Sequence, residues 1–373
     1  IAATRPVKVI SRPDQYVGVT TYAGDGTSVV VSDYQFKPDF VWIKGYTDPD
    51  RHGLYDTVRG VTKRLQSSES NAEDTQNGVM SFDDKGFSVG DYAETNGSGR
   101  GYVAWAWRAG GAPTATNNNT SGAMDANSVS VDGVLQSAYT PSGSPTIYPT
   151  GMSVGTKQGF SIIRYQANST AGATIPHGLS QSPTFVLVKS LETAGSANSD
   201  WTVFHSTLGG TKAMYLNEQL GSGSTGSWNN TDPNANVITL GTAHVSNLSP
   251  NHYIAYAWHD VPGLQKFGSY GGADAFVELG FRPAVLIIKS ETGSRNWIII
   301  DSARDAFNPS DRALLVNDSA AEDDNSVYAI DFLSNGFKVR GSNGQIDGDS
   351  SYIYAAWAEA PTVDLFGGGA NAR

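Results

Sequence analysis

The chain has no cysteine, and only 16% of its 373 residues are charged. It therefore has no disulfides, no thiol nucleophile and no thiolate ligands for zinc or iron–sulfur centres. Its 36 acidic residues outnumber its 25 basic ones, giving a formal charge of −11, and no segment concentrates Lys or Arg. Binding to a nucleic-acid backbone requires a positive surface, so we expect no nucleic-acid partner.

Long apolar runs are also missing. The longest, Tyr352 to Ala358, is far shorter than the ~18 residues that indicate a membrane span, so we expect no membrane insertion. No basic, apolar, small-residue signal opens the chain, which begins at Ile1 rather than Met. We expect its start to be a fragment or a processed end.

Two short patterns each occur three times. The first is a proline, four apolar residues and a lysine; the second runs from a tyrosine to a tryptophan. From lysine to tyrosine the copies span 58, 64 and 63 residues (44 to 102, 189 to 253 and 289 to 352). Such regular spacing indicates a repeated structural unit. The copies are Phe36 to Lys44, Gln181 to Lys189 and Phe281 to Lys289, followed by Tyr102 to Trp107, Tyr253 to Trp258 and Tyr352 to Trp357.

Short strand-like segments and glycine-rich turns fill each copy. Glycine, with 42 residues, exceeds its usual ~7% share, and Asp-Gly and Asn-Gly pairs favour tight hairpins. We predict an all-β fold of three tandem β-sandwich repeats, jelly-roll or lectin-like, with Gly/Asn-rich turns. The predicted parts are an N-terminal arm (1–14), repeat 1 (15–109), an irregular insert with a hairpin at Val129 to Leu135 (110–158), repeat 2 (159–263), repeat 3 (264–361) and a C-terminal tail (362–373).

Motifs that could carry catalysis lack their structural context. Gly151 to Gly155 has the spacing of a nucleophile elbow around Ser153, but no helix follows it. Gly221 to Gly226 resembles a dinucleotide loop, yet no helix begins there either. The six histidines lack metal-site spacing, so we expect them at the surface or in loops. We predict no enzyme and no cofactor, while the acidic clusters leave a structural calcium open.

Tryptophans separate into repeated and unique positions. Trp107, Trp258 and Trp357 recur at equivalent places, and so do Trp201 and Trp297; we interpret all five as core anchors. Trp228 has no evident counterpart and lies in a Gly/Ser/Asn-rich loop. An exposed aromatic beside short polar groups suits sugar stacking, so we predict a glycan site. The alternative is a loop tryptophan packed over its own sandwich or into a neighbouring chain. The predicted site comprises Trp228, Asn229, Asn230 and Asp232.

Seven segments together carry a family resemblance. They are Pro38 to Lys44, Tyr55 to Gly60, Ser81 to Phe87, Tyr102 to Trp107, Gly159 to Tyr165, Asp331 to Lys338 and Tyr352 to Trp357. With these motifs the chain resembles a family of virion proteins of tailed phages from marine and aquatic bacteria, usually labelled tail fibre or minor structural proteins. The resemblance runs from about Tyr16 to Pro361 and implies a virion location, but it supplies no catalytic residues.

From these observations we predict a non-enzymatic phage structural protein, a tail or head fibre segment on the virion surface that contacts the host during adsorption. Its expected partners are other virion proteins and a host cell-surface glycan or receptor. Few charges and many small polar residues suit extended subunit contacts, so we expect a homotrimer. Two alternatives stay open: a secreted set of carbohydrate-binding modules from a bacterial carbohydrate-active protein, and a purely architectural capsid decoration protein.

Overall fold

The computed structural model describes residues 9–192, 199–348, 351–363 and 369–370. The predicted N-terminal arm and C-terminal tail lie partly outside these residues. The all-β prediction is confirmed, because the only helices described are single turns: 3₁₀ turns at Pro13–Gln15 and Ser326–Tyr328, and α1 (Ala93–Asn96) and α2 (His244–Asn247). We call the three repeats units 1, 2 and 3.

Strands alternate with turns throughout. Unit 1 contains β1 (Val17–Ala23), β2 (Val29–Val31), β3 (Phe40–Gly45), β4 (Gly53–Asp56), β5 (Lys63–Arg64), β6 (Asp74–Thr75), β7 (Val79–Asp83), β8 (Gly86–Val89) and β9 (Gly101–Trp107). The insert contributes β10 (Val129–Val131), β11 (Val134–Leu135) and β12 (Gly151–Gly155).

Units 2 and 3 follow the same plan. Unit 2 contains β13 (Phe160–Gln166), β14 (Ala173–Pro176), β15 (Phe185–Ser190), β16 (Thr202–His205), β17 (Met214–Tyr215), β18 (Val237–Leu240) and β19 (His252–Trp258). Unit 3 contains β20 (Gln265–Tyr270), β21 (Phe276–Glu278), β22 (Pro283–Ser290), β23 (Ile298–Asp301), β24 (Leu314–Leu315), β25 (Ile330–Leu333), β26 (Gly336–Val339) and β27 (Tyr352–Ala358). Two short strands come last, β28 (Thr362–Val363) and β29 (Gly369–Ala370).

Each unit is a sandwich of a larger inner sheet and a smaller outer sheet. The inner sheets have the equivalent orders β1-β9-β3-β4, β13-β19-β15-β16-β17 and β20-β27-β22-β23-β24. The outer sheets are β2-β8-β7, β14-β18 and β21-β26-β25. The last long strand of each unit is therefore an inner strand of its sheet, flanked by the first strand and the proline-to-lysine strand.

These last strands are apolar at nearly every position because both of their faces are covered. In β9, Val103, Trp105 and Trp107 face a core shared by all three units, whereas Tyr102, Ala104 and Ala106 face the outer sheet of unit 1. The shared core includes inner-sheet residues from units 2 and 3 as well. The units are consequently not independent sandwiches on a string; their inner sheets pack around one centre.

The insert is an ordered part of unit 2. Its hairpin is confirmed: β10 pairs with β11 across Asp132 and Gly133, whose φ values of 49° and 88° are those of a two-residue hairpin turn. Strand β12 extends the inner sheet by pairing with β13. Farther along, the N–H of Ile147 donates to the carbonyl of Thr174 on the edge strand β14 at 2.9 Å. The insert thus covers the β14 edge of the outer sheet of unit 2.

Candidate functional site

The prediction of an exposed Trp228 is wrong. Its side chain is 1% exposed and belongs to the core between the two sheets of unit 2. Its ring meets that of Phe204 edge to face, with centroids 5.8 Å apart. Tyr328 is the equivalent residue in unit 3. Met214 and Leu314 are equivalent inward-facing residues of short strands, and Trp228 and Tyr328 each follow one of them by 14 residues. The loop folds over its own sandwich because this large apolar side chain fills the core.

The polar neighbours of Trp228 form a turn. Asn229 and Asn230 are exposed and have positive φ angles of 50° and 52°. The Asp232 carboxylate accepts a hydrogen bond from the N–H of Gly210 at 2.5 Å and so ties two loops together. Without an exposed aromatic ring these side chains provide no stacking platform, and the predicted glycan site is not formed as proposed.

All five repeated tryptophans are buried, each at most 2% exposed. Trp107, Trp258 and Trp357 meet one another at the centre of the molecule, with ring centroids 5.2–6.4 Å apart and interplanar angles of 68–70°. Their indole N–H groups have no hydrogen-bond acceptor among the described residues. Edge-to-face packing brings such N–H edges towards π faces, which partly compensates for the missing acceptor.

Equivalent hydrogen bonds join the units at their three interfaces, which we call seams. His52, Trp201 and Trp297 each immediately precede the equivalent strand of their unit, and each donates a ring N–H to a carbonyl of another unit. Trp201 donates to Gln66 of unit 1 at 2.7 Å, and Trp297 donates to Tyr215 of unit 2 at 2.9 Å. His52 donates from Nε2 to the carbonyl of Leu315 in unit 3 at 2.9 Å. Its Nδ1 atom accepts a bond from the Trp42 indole, so the proton of the neutral ring lies on Nε2. The same contact therefore repeats in a cycle, with approximate threefold symmetry.

Two seams carry buried ion pairs. Asp56 pairs with Arg59 at 2.5 Å, and the hydroxyl of Tyr256 in unit 2 donates to the same carboxylate at 2.7 Å. At the seam between units 3 and 1, Asp301 pairs with Arg304 at 2.8 Å and accepts a bond from Trp105 at 3.2 Å. Burying these charges is tolerated because each has several partners.

The seam between units 2 and 3 has a histidine where the others have aspartate. His205 lies opposite Phe185 as Asp56 lies opposite Phe40. It donates to the carbonyl of Tyr354 at 3.2 Å. Burial lowers its pKa to about 4, so it is neutral at physiological pH.

Three equivalent lysines are buried at one end of the ring. Lys44, Lys189 and Lys289 are 0% exposed, and their ammonium groups donate to backbone carbonyls. Two of them reach the preceding unit: Lys189 approaches the carbonyl of Ser70 at 3.4 Å, and Lys289 bonds that of Gln219 at 2.9 Å. Burial lowers the pKa of Lys44 to about 8 and that of Lys189 to about 7. Lys189 and Lys289 therefore join neighbouring units, whereas the recorded bonds of Lys44 stay within unit 1, and all three side chains are closed off from solvent.

Histidine placement also differs from expectation. His52, His177, His205 and His259 are buried, and each has a ring nitrogen within hydrogen-bond distance of a backbone carbonyl. Ser153, in β12, accepts a bond from the N–H of Gly110 at 2.9 Å. These side chains therefore have structural roles, and Ser153 lies within a strand rather than on a nucleophile elbow.

Two open grooves flank the insert, and each contains an arginine without a carboxylate partner among the described residues. The first, of about 140 Å³, is lined by Arg108 and Lys157 with Tyr16, Asp132 and Gln158. The second, of about 260 Å³, contains Arg164 and lies where unit 1, the insert and β13 meet. Guanidinium groups in such settings bind oxyanions, so these grooves are the candidate ligand sites.

Metal sites and membrane helices are absent from the part of the chain that the structure describes. No group of three or more His, Asp or Glu side chains there could hold a metal ion. Within the same ranges no helix is long and apolar enough to cross a membrane.

Comparison with known proteins identifies a family but no function. The family model described as a domain of unknown function, DUF7483, matches residues 12–145 and 135–361. The chain belongs to the DUF7483 family. No curated protein and no solved structure matches it. The two matches together span all three units of this DUF7483 chain.

Arg164 was missed as a candidate when the sequence was read alone, although one signal for it was present. It follows Ile162 and Ile163 in an apolar strand and shares the inward side of β13 with Phe160 and Ile162. A charged residue at an inward position of a buried strand needs a partner or a solvent-filled space. Only the fold shows that this position opens into the groove beside the insert.

Proposed function

We propose that this DUF7483 protein is a non-enzymatic virion structural protein, a tail or head fibre segment on the particle surface that contacts the host cell during adsorption. The observation that carries the proposal is the closed ring of three sandwiches, whose inner sheets share one core and whose insert adds a surface outside the repeated pattern. Such a body suits a displayed spacer with a contact site, because loops on a rigid scaffold hold binding groups in fixed positions.

Chemistry within the body supports the same proposal. The buried histidines and lysines bond backbone carbonyls. The buried aspartates Asp56 and Asp301 pair with arginines of their own units, and each accepts a further bond from an aromatic side chain of a neighbouring unit. These contacts stabilise the units and the seams between them. The acidic, cysteine-free composition and the resemblance to tailed-phage virion proteins favour an extracellular particle as the location.

Particle association tests the proposal directly. Virions purified by density gradient from the producing culture should contain the chain at a fixed stoichiometry, and antibodies against it should label the particle surface and block adsorption. Other virion proteins are the proposed partners at its attachment end, and a host glycan or receptor is the proposed partner at its free surface. A chain found only in the soluble fraction, never with particles, would overturn the proposal.

A second candidate is favoured by the threonine hydroxyls around Arg164, which would serve a secreted carbohydrate-binding protein equally well. Fractionation separates the two candidates, since the secreted protein would be particle-free. Release of reducing ends from host polysaccharide would overturn the non-enzymatic part of both proposals.

We further propose that the chain assembles as a homotrimer, on the basis of its small share of charged residues, 16%, and its many small polar ones. Each chain already closes a threefold ring internally, so trimerisation would have to use outer surfaces. Light scattering at micromolar concentration should give three times 39.5 kDa. A monomer mass would refute the trimer and leave the virion role untouched.

A further inference from the structure

Arg164 differs from most arginines of this chain because its guanidinium has no partner among the residues that the structure describes. Nine others form ion pairs with carboxylates: Arg12, Arg51, Arg59, Arg64, Arg100, Arg282, Arg304, Arg312 and Arg340. The guanidinium of Arg164 makes no hydrogen bond to any described residue, and its Nε atom is buried without a partner. In a chain of charge −11, an arginine without a carboxylate partner among the described residues is uncommon. Because its buried Nε–H has no acceptor there, an acceptor from outside the chain would satisfy it.

The groove around Arg164 supplies the rest of a binding site. Its walls are Val58 of unit 1, Pro113 to Thr116 of the insert, and Thr150 and Gly151 at the start of β12. Thr114 and Thr116 are exposed, and their hydroxyls have no partner among the described residues. Arg164 is the only charged residue of the lining. The site therefore combines one cation with several hydroxyls and a small apolar wall.

A glycine keeps the floor of the groove open. A Cβ atom built on Gly151 would lie 3.4 Å from Cγ1 of Val58 and 3.7 Å from Cγ of Pro113, within the space that the groove now occupies. These are ordinary van der Waals separations, so an alanine would fit there while narrowing the groove. Gly151 consequently offers a way to block the site without touching Arg164.

We propose that this groove binds the oxyanion group of an acidic sugar, a uronate carboxylate or a sugar sulfate. The planar guanidinium pairs with two oxygens of such a group at once, and the threonine hydroxyls bond the sugar's own hydroxyls. The volume of about 260 Å³ is below the ~300 Å³ at which pockets usually begin to hold drug-sized ligands, so one acidic residue of a longer glycan is the expected occupant. The inference deepens the proposed function and rests on its claim of host-surface contact.

Calorimetric titration of the full chain tests the site. The probes are trigalacturonate, its methyl ester, a sulfated disaccharide and neutral maltotriose. We expect trigalacturonate to bind and its affinity to fall with added salt. Arg164→Gln should weaken that binding at least tenfold, and Arg164→Lys, which keeps the charge but loses the planar fork, should weaken it less. The sulfated disaccharide shows whether the site takes sulfate as well as carboxylate.

Arg340→Gln is the matched control. It removes the same charge from an exposed arginine paired with Asp331, so it should leave the affinity unchanged. Melting temperatures of all variants establish that they fold, and Gly151→Ala, which adds one methyl group beside Val58 and Pro113, should reduce binding with Arg164 intact. Equal affinity of the wild type and Arg164→Gln, equal binding of the acid and its methyl ester, or no binding of either anionic probe at millimolar concentration would overturn the inference. Virions that carry Arg164→Gln and still adsorb normally would overturn its link to adsorption and leave the virion role intact.

Discussion

Replacing Trp258 with alanine tests whether the three units share one core. The side chain is 1% exposed, stacks on Phe160 with centroids 4.4 Å apart, and meets Trp107 and Trp357 from the other two units. Truncating a buried tryptophan typically costs about 3–5 kcal/mol. Because the lost contacts belong to all three units, we expect the whole molecule to lose this stability, in a single transition.

The corresponding shift in melting temperature follows from the size of the chain. At ~2.1 cal/mol/K per residue, 373 residues give an unfolding entropy of about 0.8 kcal/mol/K, so a loss of about 4 kcal/mol lowers the melting temperature by about 5 °C. Scanning calorimetry should show one peak for both the wild type and Trp258→Ala, with equal calorimetric and van't Hoff enthalpies. Phe307→Ala, at a residue 78% exposed, is the control and should melt like the wild type.

Separate peaks would refute this reasoning. If Trp258→Ala moved one of several transitions and left the others in place, the units would be independent domains that only touch. Amide hydrogen exchange is a second test. If the core is shared, Trp258→Ala should reduce the protection of amides in β9 and β27 together with that of amides in β19.

Three further predictions concern buried side chains. Trp228→Ala should lower stability by about 3–5 kcal/mol, measured by urea unfolding, because its ring fills the core of unit 2; an unchanged midpoint would contradict that placement. Folding lowers the pKa of Lys189 from 10.5 to about 7, so the stabilisation linked to this shift is complete above pH 10.5 and is lost as the pH falls towards 7. The free energy of unfolding should therefore rise between pH 7 and 10, and Lys189→Met should flatten that rise. An unchanged slope in the variant would contradict this role of Lys189. Folding lowers the pKa of His205 from 6.5 to about 4, so stability should fall as the pH drops from 6.5 to 4, and less steeply in His205→Gln; equal acid sensitivity of the two proteins would rule out this role.

The all-β repeat could be predicted from the sequence because its signals are local. Turn pairs, short apolar strands and recurring motifs each act within a few residues, and the hairpin at Asp132 and Gly133 follows from turn geometry alone. Closure of the ring could not be predicted in this way. Repeats in a line and repeats in a ring share the same local patterns; the difference lies in contacts such as Trp201 to Gln66, which join residues 135 positions apart.

The candidate site could not be predicted from local sequence patterns for the same reason, because it also depends on long-range contacts. Trp228 looked exposed because its neighbours are small and polar, but burial of one side chain depends on the sheet beneath it, not on its neighbours in sequence. Arg164 looked like an ordinary strand residue, and its isolation from carboxylates is visible only once the insert, β13 and Val58 come together. Pairing of charges over long distances is a property of the folded chain.

Closure also fixes how many units this architecture can hold. In an open solenoid a further repeat stacks on the last one, and length varies freely while end caps protect the terminal faces. Here the seam formed by His52 and Leu315 occupies the face on which a fourth unit would have to stack. An added unit would therefore have to break that seam and move the three central tryptophans apart. Additional sequence is therefore expected to be accommodated in loops and inserts such as 110–158, which leave the ring of three units unchanged.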